Sequence, residues 1–394
     1  MNRFMALILS FFALSNCLKA EDNNVNPCAE FALATEVATK IRGLDLIHKI
    51  DCLELNKAEF AKSQQEEIFK HITPKTMQHE EAIFKLLGIL DSDYDYKSCY
   101  LNEALNQTAA FYKVGSGKVI VPSWKPTSFV VLVHEVIHAI QDQYFNLDKI
   151  TAPRANKTDS AIAVAALTEG EAVFFQNKIP EEVLAAHPEP SGSSSELGSN
   201  DCKRQLKFEE LSLFPYRFGP IFIEKLFRRF GPQALTQAYE NIPESTSAIL
   251  QSDRYPEQRK LEIELPDDLL QKFLIKLKVK SVREIYKDRL GQYAARLLVA
   301  DHNSRSDAIL AGKGWLGDLV KLYQLSDNSF MIYWGLAFET EKDAKEFWIA
   351  FLKANEIESN DDLMEFSKSN LHLAAKLKAN RVFLLKAQGL VEAR

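Results

Sequence analysis

His134 and His138, one helical turn apart with Glu135 directly after the first, are the residues of this sequence best placed to do chemistry. They lie in VLVHEVIHAIQDQYF, Val131 to Phe145, a run otherwise apolar enough to be a buried helix. Positions four apart share one face of a helix, so two imidazoles can address one ion. Glu135 is turned about 100° from His134, which puts its carboxylate beside such an ion rather than on it, where it can accept a proton from an activated water. A catalytic zinc takes three protein donors and leaves a fourth position open, so a third donor must come from elsewhere.

LTEGEA, Leu167 to Ala172, offers that donor. Glu169 and Glu171 are two residues apart and cannot share a helix face, so one of them points away from the ion. Both are out of place between AIAVAAL and AVFF, because an unpaired carboxylate is costly to bury and an ion would offset that cost. His71, His79, His187, His302 and His372 sit in no ligand spacing and read as surface or structural residues.

HEVIH followed by LTEGEA resembles the gluzincin metallopeptidases, in particular the aminopeptidase-like branch, where a helix bearing H-E-x-x-H precedes one bearing L-N-E-G-x-A. The resemblance implies His134, His138 and Glu169 as zinc ligands and Glu135 as general base, and leaves Glu171 as a helix partner or supporting group. Thirty residues separate His138 from Glu169, more than is usual in that branch, and the polar loop from Asp148 to Asp159 can absorb the excess. FPYRFG, Phe214 to Gly219, resembles the segment whose tyrosine donates to the tetrahedral intermediate, a role that falls on Tyr216. Together with PESTSAIL, these segments also resemble a group of bacterial exported proteins. No segment of the G-A-M-E-N type precedes the zinc helix, so trimming of free amino ends is not expected. The hairpin Phe111 to Ser123 could instead pair with an extended peptide through a plain sheet edge. Gln141 and Asp142 are the residues expected to orient a histidine.

The elements that must hold these groups can be read from periodicity. Asn26 to Leu90 reads as helical, AFYKVGSGKVIVPS as a hairpin, and SAIAVAALTEGEAVFFQNK and LFPYRFGPIFIEKLFRRFG as two further helices. HPEPSGSSSELGSND, His187 to Asp201, reads as a surface insertion. Beyond residue 260, GQYAARLLVA is helical, GKGWLGDLVKLYQL and SFMIYWGLAF are strands, EKDAKEFWIAFLKA is a helix and HLAAKLKANRVFLLKA a hairpin. GKGWLGD, Gly312 to Asp318, reads as a structural turn. The expected fold is α+β: a leader at 1–20, a helical region at 21–100, a thermolysin-like catalytic core at 101–260 and an α+β unit at 261–394.

The 394 residues are 46% hydrophobic and 26% charged, an ordinary globular composition with room for two or three packed units. A net charge of −6 gives no general attraction to nucleic acid. Arg3 followed by Phe4 to Leu14, apolar except for Ser10, reads as a secretory signal too short to span a membrane. Its end is open to two readings: cleavage after Ala20, or a lipid anchor at Cys17 in LSNC. Cys28, Cys52, Cys99 and Cys202 allow two disulfides in any of three pairings. The expected activity is hydrolysis of peptide bonds outside the cytoplasm, with a peptide or unfolded protein as substrate. A catalytically silent zincin-fold binding module and a zinc hydrolase of a non-peptide substrate are the alternatives.

Overall fold

Side-chain caps open several of the early helices of the computed structural model, which describes residues 26–152, 158–190, 202–257, 261–359, 361–368 and 371–388. The leader, Cys17 and residues 191–201 of the expected insertion lie outside the described residues. The elements run α1 (Phe31–Arg42), β1 (Asp51–Leu55), α2 (Lys57–His71), α3 (Pro74–Leu87), α4 (Tyr96–Gln107), β2 (Phe111–Lys113) and β3 (Lys118–Pro122). Asn56 opens α2 by accepting from the N–H groups of Ala58 and Glu59, while the Glu59 carboxylate accepts from the Asn56 N–H. Thr73 with Pro74 opens α3, and Gly88 at φ 69° closes it.

The stretch expected to be helical from Asn26 to Leu90 is therefore interrupted by a strand. β1 pairs in parallel with β3, Asp51 opposite Lys118 and Leu55 opposite Pro122. β2 pairs antiparallel with the other side of β3, so the expected hairpin forms and β2 is left at the sheet edge. Disulfides join Cys28 to Cys52 and Cys99 to Cys202.

Next come α5 (Phe129–Phe145), the short α6 (Leu147–Ile150), α7 (Thr158–Gln176), α8 (Glu181–Ala186), α9 (Leu206–Ser212), α10 (Phe214–Phe230), α11 (Ala234–Glu240) and α12 (Thr246–Leu250). Ser128 caps α5 by accepting from Val131 N–H. α7 is buried at every position from Thr158 to Ala172, which accounts for its apolar composition on all sides. It packs on α5 and on α10. At the α10 crossing the backbones touch: a Cβ on Gly170 would lie 2.4 Å from the Gly219 carbonyl carbon, and one on Gly219 would lie 2.4 Å from the Ala166 oxygen. The glycines of TEGEA and of PYRFG are thus the two halves of one contact.

The remainder comprises α13 (Asp267–Lys276), β4 (Val282–Asp288), α14 (Gly291–Leu298), α15 (Arg305–Gly312), β5 (Trp315–Leu325), β6 (Phe330–Phe338), α16 (Glu341–Ala354), β7 (Leu363–Lys368), β8 (Leu371–Lys378) and β9 (Arg381–Gln388). Its strands form an antiparallel sheet in the order β4-β5-β6-β9-β8-β7. α3 and α16 cover one face, and α13 covers the other. One apolar core runs from Ala34 in α1 to Leu384 in β9, so the sheet shares an interior with the helices of the histidine site. The turn expected at Gly312 to Asp318 leads into β5, where Asp318 is buried and accepts from Leu290 N–H, Gly291 N–H and the Trp334 indole. The fold is α+β.

Candidate metal centre

α5 carries His134 and His138 with their rings 4.7 Å apart and nearly perpendicular, and their Nε2 atoms are 3.0 Å apart. α7 brings Glu169 Oε2 to 3.2 Å from His134 Nε2 and 3.4 Å from His138 Nε2. Bonds of about 2.0–2.1 Å in a tetrahedral site place neighbouring donors about 3.3–3.4 Å apart, close to the sides of this triangle. Among the described residues this is the one such group of histidine and acidic side chains, and it is compatible with a metal ion.

The hydrogen bonds around the triangle decide its polarity. Gln141 Nε2 donates to the Thr168 carbonyl at 2.8 Å and to Glu171 Oε2 at 3.2 Å, so Gln141 Oε1 is the atom that meets His138 Nδ1 at 2.8 Å. An amide oxygen only accepts, so the hydrogen is on Nδ1, and in the neutral ring the His138 Nε2 lone pair faces inward. His134 Nδ1 meets Gln176 Oε1 at 3.0 Å in the same way. Two imidazole lone pairs and a carboxylate therefore converge where no ligand residue is more than 1% exposed. That is unfavourable without a positive charge among them. Burial acts to lower the His138 pKa and to raise that of Glu169, but their mutual attraction prevails. The imidazole is raised to about 9 and the carboxylate held at about 2, so a proton on His138 Nε2 is one source of that positive charge, and a metal ion, which would take the proton's place on the nitrogen, is another.

Glu135 and Tyr216 stand beside the triangle. Glu135 Oε2 accepts from the Tyr112 N–H of β2 at 2.6 Å, and its Oε1 is buried with no partner. Burial raises its pKa, with the two histidines opposing and Glu169 assisting. Tyr216, in the first turn of α10, turns a buried hydroxyl toward Glu169 without closing a hydrogen bond of ordinary geometry. Burial and the Glu169 charge push its phenol well above the usual range. Glu169 Oε1 is likewise buried without a partner. The Gly170–Gly219 contact allows α10 to bring Tyr216 this close.

No family model, no curated protein and no solved structure matches this chain. Glu171 points away from the triangle and accepts from Arg42 Nε at 2.5 Å, the Tyr239 hydroxyl at 2.6 Å and Gln141. It anchors the amide that orients His138. Asp142, expected to orient a histidine, does not: its carboxylate accepts from the Tyr112 hydroxyl and from the N–H groups of Gly115 and Leu147. Its place on α5 turns it to the hairpin, so it fixes β2 against α5 instead. Sequence reasoning missed Gln176, Arg42 and Tyr239. Gln176 had a signal, since it follows Glu169 by two helical turns on the same face. Of the remaining histidines, His187 stacks on Phe129 and pairs with Glu30, His79 packs on Tyr286, and His372 meets Ser367.

Proposed function

We propose that this chain is a zinc-dependent hydrolase that cleaves peptide bonds outside the cytoplasm. The observation that carries this reading is the convergence of three buried potential ligand atoms from His134, His138 and Glu169, with Glu135 Oε1 and the Tyr216 hydroxyl unpartnered beside them. Two imidazoles and one carboxylate are a donor set used by catalytic zinc. The resemblance of HEVIH and LTEGEA to the gluzincins, and with it a thermolysin-like core, points the same way. Bound there, zinc would supply a Lewis acid for the scissile carbonyl and bring the pKa of water toward about 7.

The chain's own groups do the remaining work. Glu135 Oε1 takes the proton of the attacking water and returns it to the leaving nitrogen. Burial of this carboxyl raises its affinity for that proton, which suits a group that is base first and acid second. Tyr216, protonated at all ordinary pH values, donates to the oxyanion. Gln141 and Gln176 hold both Nδ1 hydrogens in place. β2, at the edge of its sheet next to Glu135, is positioned to align an extended backbone. The two disulfides suit an oxidising compartment and support export, whether the chain is released or anchored at Cys17.

A second reading, a catalytically silent zincin-fold binding module, is favoured by one observation: the ligands are closed off from solvent. The test is to measure bound zinc by elemental analysis in wild type and Glu135→Gln, then follow cleavage of casein and of a mixed peptide library. One equivalent of zinc in both, with cleavage by wild type alone, is the expected result. Zinc-loaded wild type that cleaves nothing leaves the silent module standing, and absence of zinc from both overturns the centre itself.

A further inference from the structure

β9 alternates between its two covered faces. Val382 and Leu384 turn to the core shared with the metal helices, while Phe383, Leu385 and Ala387 turn to α13. Lys386 takes the next place on the first face, paired across the strands with Ile332 on β6 and Leu373 on β8. Lys386 is half-buried, and an ammonium partly withdrawn from water between two aliphatic neighbours gains from meeting an opposite charge. None of the described residues gives it a hydrogen bond or an ion pair. Burial, with the nearby Lys207 ammonium, lowers its pKa to about 8, so it is still mostly charged at neutral pH.

Lys386 lines a cavity of about 130 Å³ whose walls include Leu87, Leu298, Phe351 and Leu384. That is close to the size of an engineered apolar cavity, about 150 Å³, that takes up benzene. Lys207 and Asp301 also line it but are already paired with each other, so the net charge presented to a ligand is the single positive charge of Lys386.

We propose that this cavity binds a small monocarboxylate with a compact apolar body, its carboxylate on the Lys386 ammonium and its hydrocarbon against Leu298 and Phe351. A phosphate or dicarboxylate would bring a second charge that no free cation among the described lining residues answers, and a neutral hydrocarbon would leave the ammonium without a counter-charge. The site is separate from the histidine centre and does not depend on the proposed hydrolysis.

The test is calorimetric titration of the full chain at pH 7 with benzoate, with hexanoate, and with benzyl alcohol as a neutral body of similar shape. Lys386→Met, which keeps the volume and removes the charge, serves as the variant, and circular dichroism checks its fold. Wild type is expected to bind one equivalent of at least one acid. Both the alcohol on wild type and the acid on Lys386→Met should bind about tenfold more weakly or worse. Leu298→Trp, which fills the cavity but leaves the lysine, should abolish binding. No saturable binding of either acid to wild type, or equal binding to folded Lys386→Met, overturns the proposal.

Discussion

Substituting Asn for Asp159 should stabilise the chain above neutral pH and leave it nearly unchanged in acid. Asp159 lies in the first turn of α7, where its Oδ1 accepts from the Thr246 N–H and hydroxyl at 2.7 Å each and its Oδ2 has no partner. Burial and the neighbouring Asp318 carboxyl raise its pKa from 3.8 to about 7, although Thr246 and Arg289 oppose the rise. A carboxyl whose folded pKa lies above its unfolded value binds its proton more tightly in the native chain. Stability is then lost as pH rises from about 4 through 7. At about 1.36 kcal/mol per pKa unit, the full loss by pH 8 is on the order of 4 kcal/mol, of which about 2–3 kcal/mol falls between pH 5 and 8. Asp318, itself raised to about 6, titrates together with Asp159, so the midpoint belongs to the pair. Asn keeps an oxygen for Thr246 and replaces the unpartnered oxygen with a donor. Urea unfolding of wild type and Asp159→Asn, followed by circular dichroism at pH 5 and pH 8, should show the variant's advantage widening by that amount. A gap that stays constant or reverses would refute a protonated native Asp159.

Other perturbations address the centre directly. Gln141→Ala should lower metal affinity about 10–100-fold in competition with a chelating dye, because His138 loses the acceptor on its Nδ1; unchanged affinity would remove Gln141 from that role. Gly219→Ala must push α10 off α7, since its Cβ would meet the Ala166 oxygen at 2.4 Å, and should cost at least about 1–3 kcal/mol in thermal unfolding. Wild-type melting of that variant would mean the backbones do not touch. Because the ligands are at most 1% exposed, metal release to a chelator should reach a plateau rate set by opening of the chain. A rate that keeps rising in proportion to chelator concentration would show direct access.

The helices of the candidate metal site were legible because their signals are local. H-E-x-x-H and T-E-G-E-A each lie within two turns, and acids in an apolar helix stand out without knowledge of the partner. The hairpin at Phe111 to Ser123 announced itself through Gly115 and Gly117, both at positive φ. β1 was not legible: DCLEL is five residues long, lies between helices, and is a strand because of β3, far along the chain. Arg42 had no local pattern either, since the pairing that gives it meaning spans 129 residues. Asp142 was misread because adjacent helix positions point about 100° apart, so Gln141 faces His138 while Asp142 faces the hairpin. The pairing of the four cysteines likewise depended on tertiary approach.

The Cys99–Cys202 disulfide spans 103 residues, and within that span lie His134, Glu135, His138 and Glu169, while Tyr216 lies beyond it. A single backbone cut anywhere inside this covalent ring leaves both pieces one molecule. For a protein proposed to cut others of its own chemical kind, self-inflicted nicks would be silent: the nicked chain would run at full length on a gel until a reductant separated the two halves.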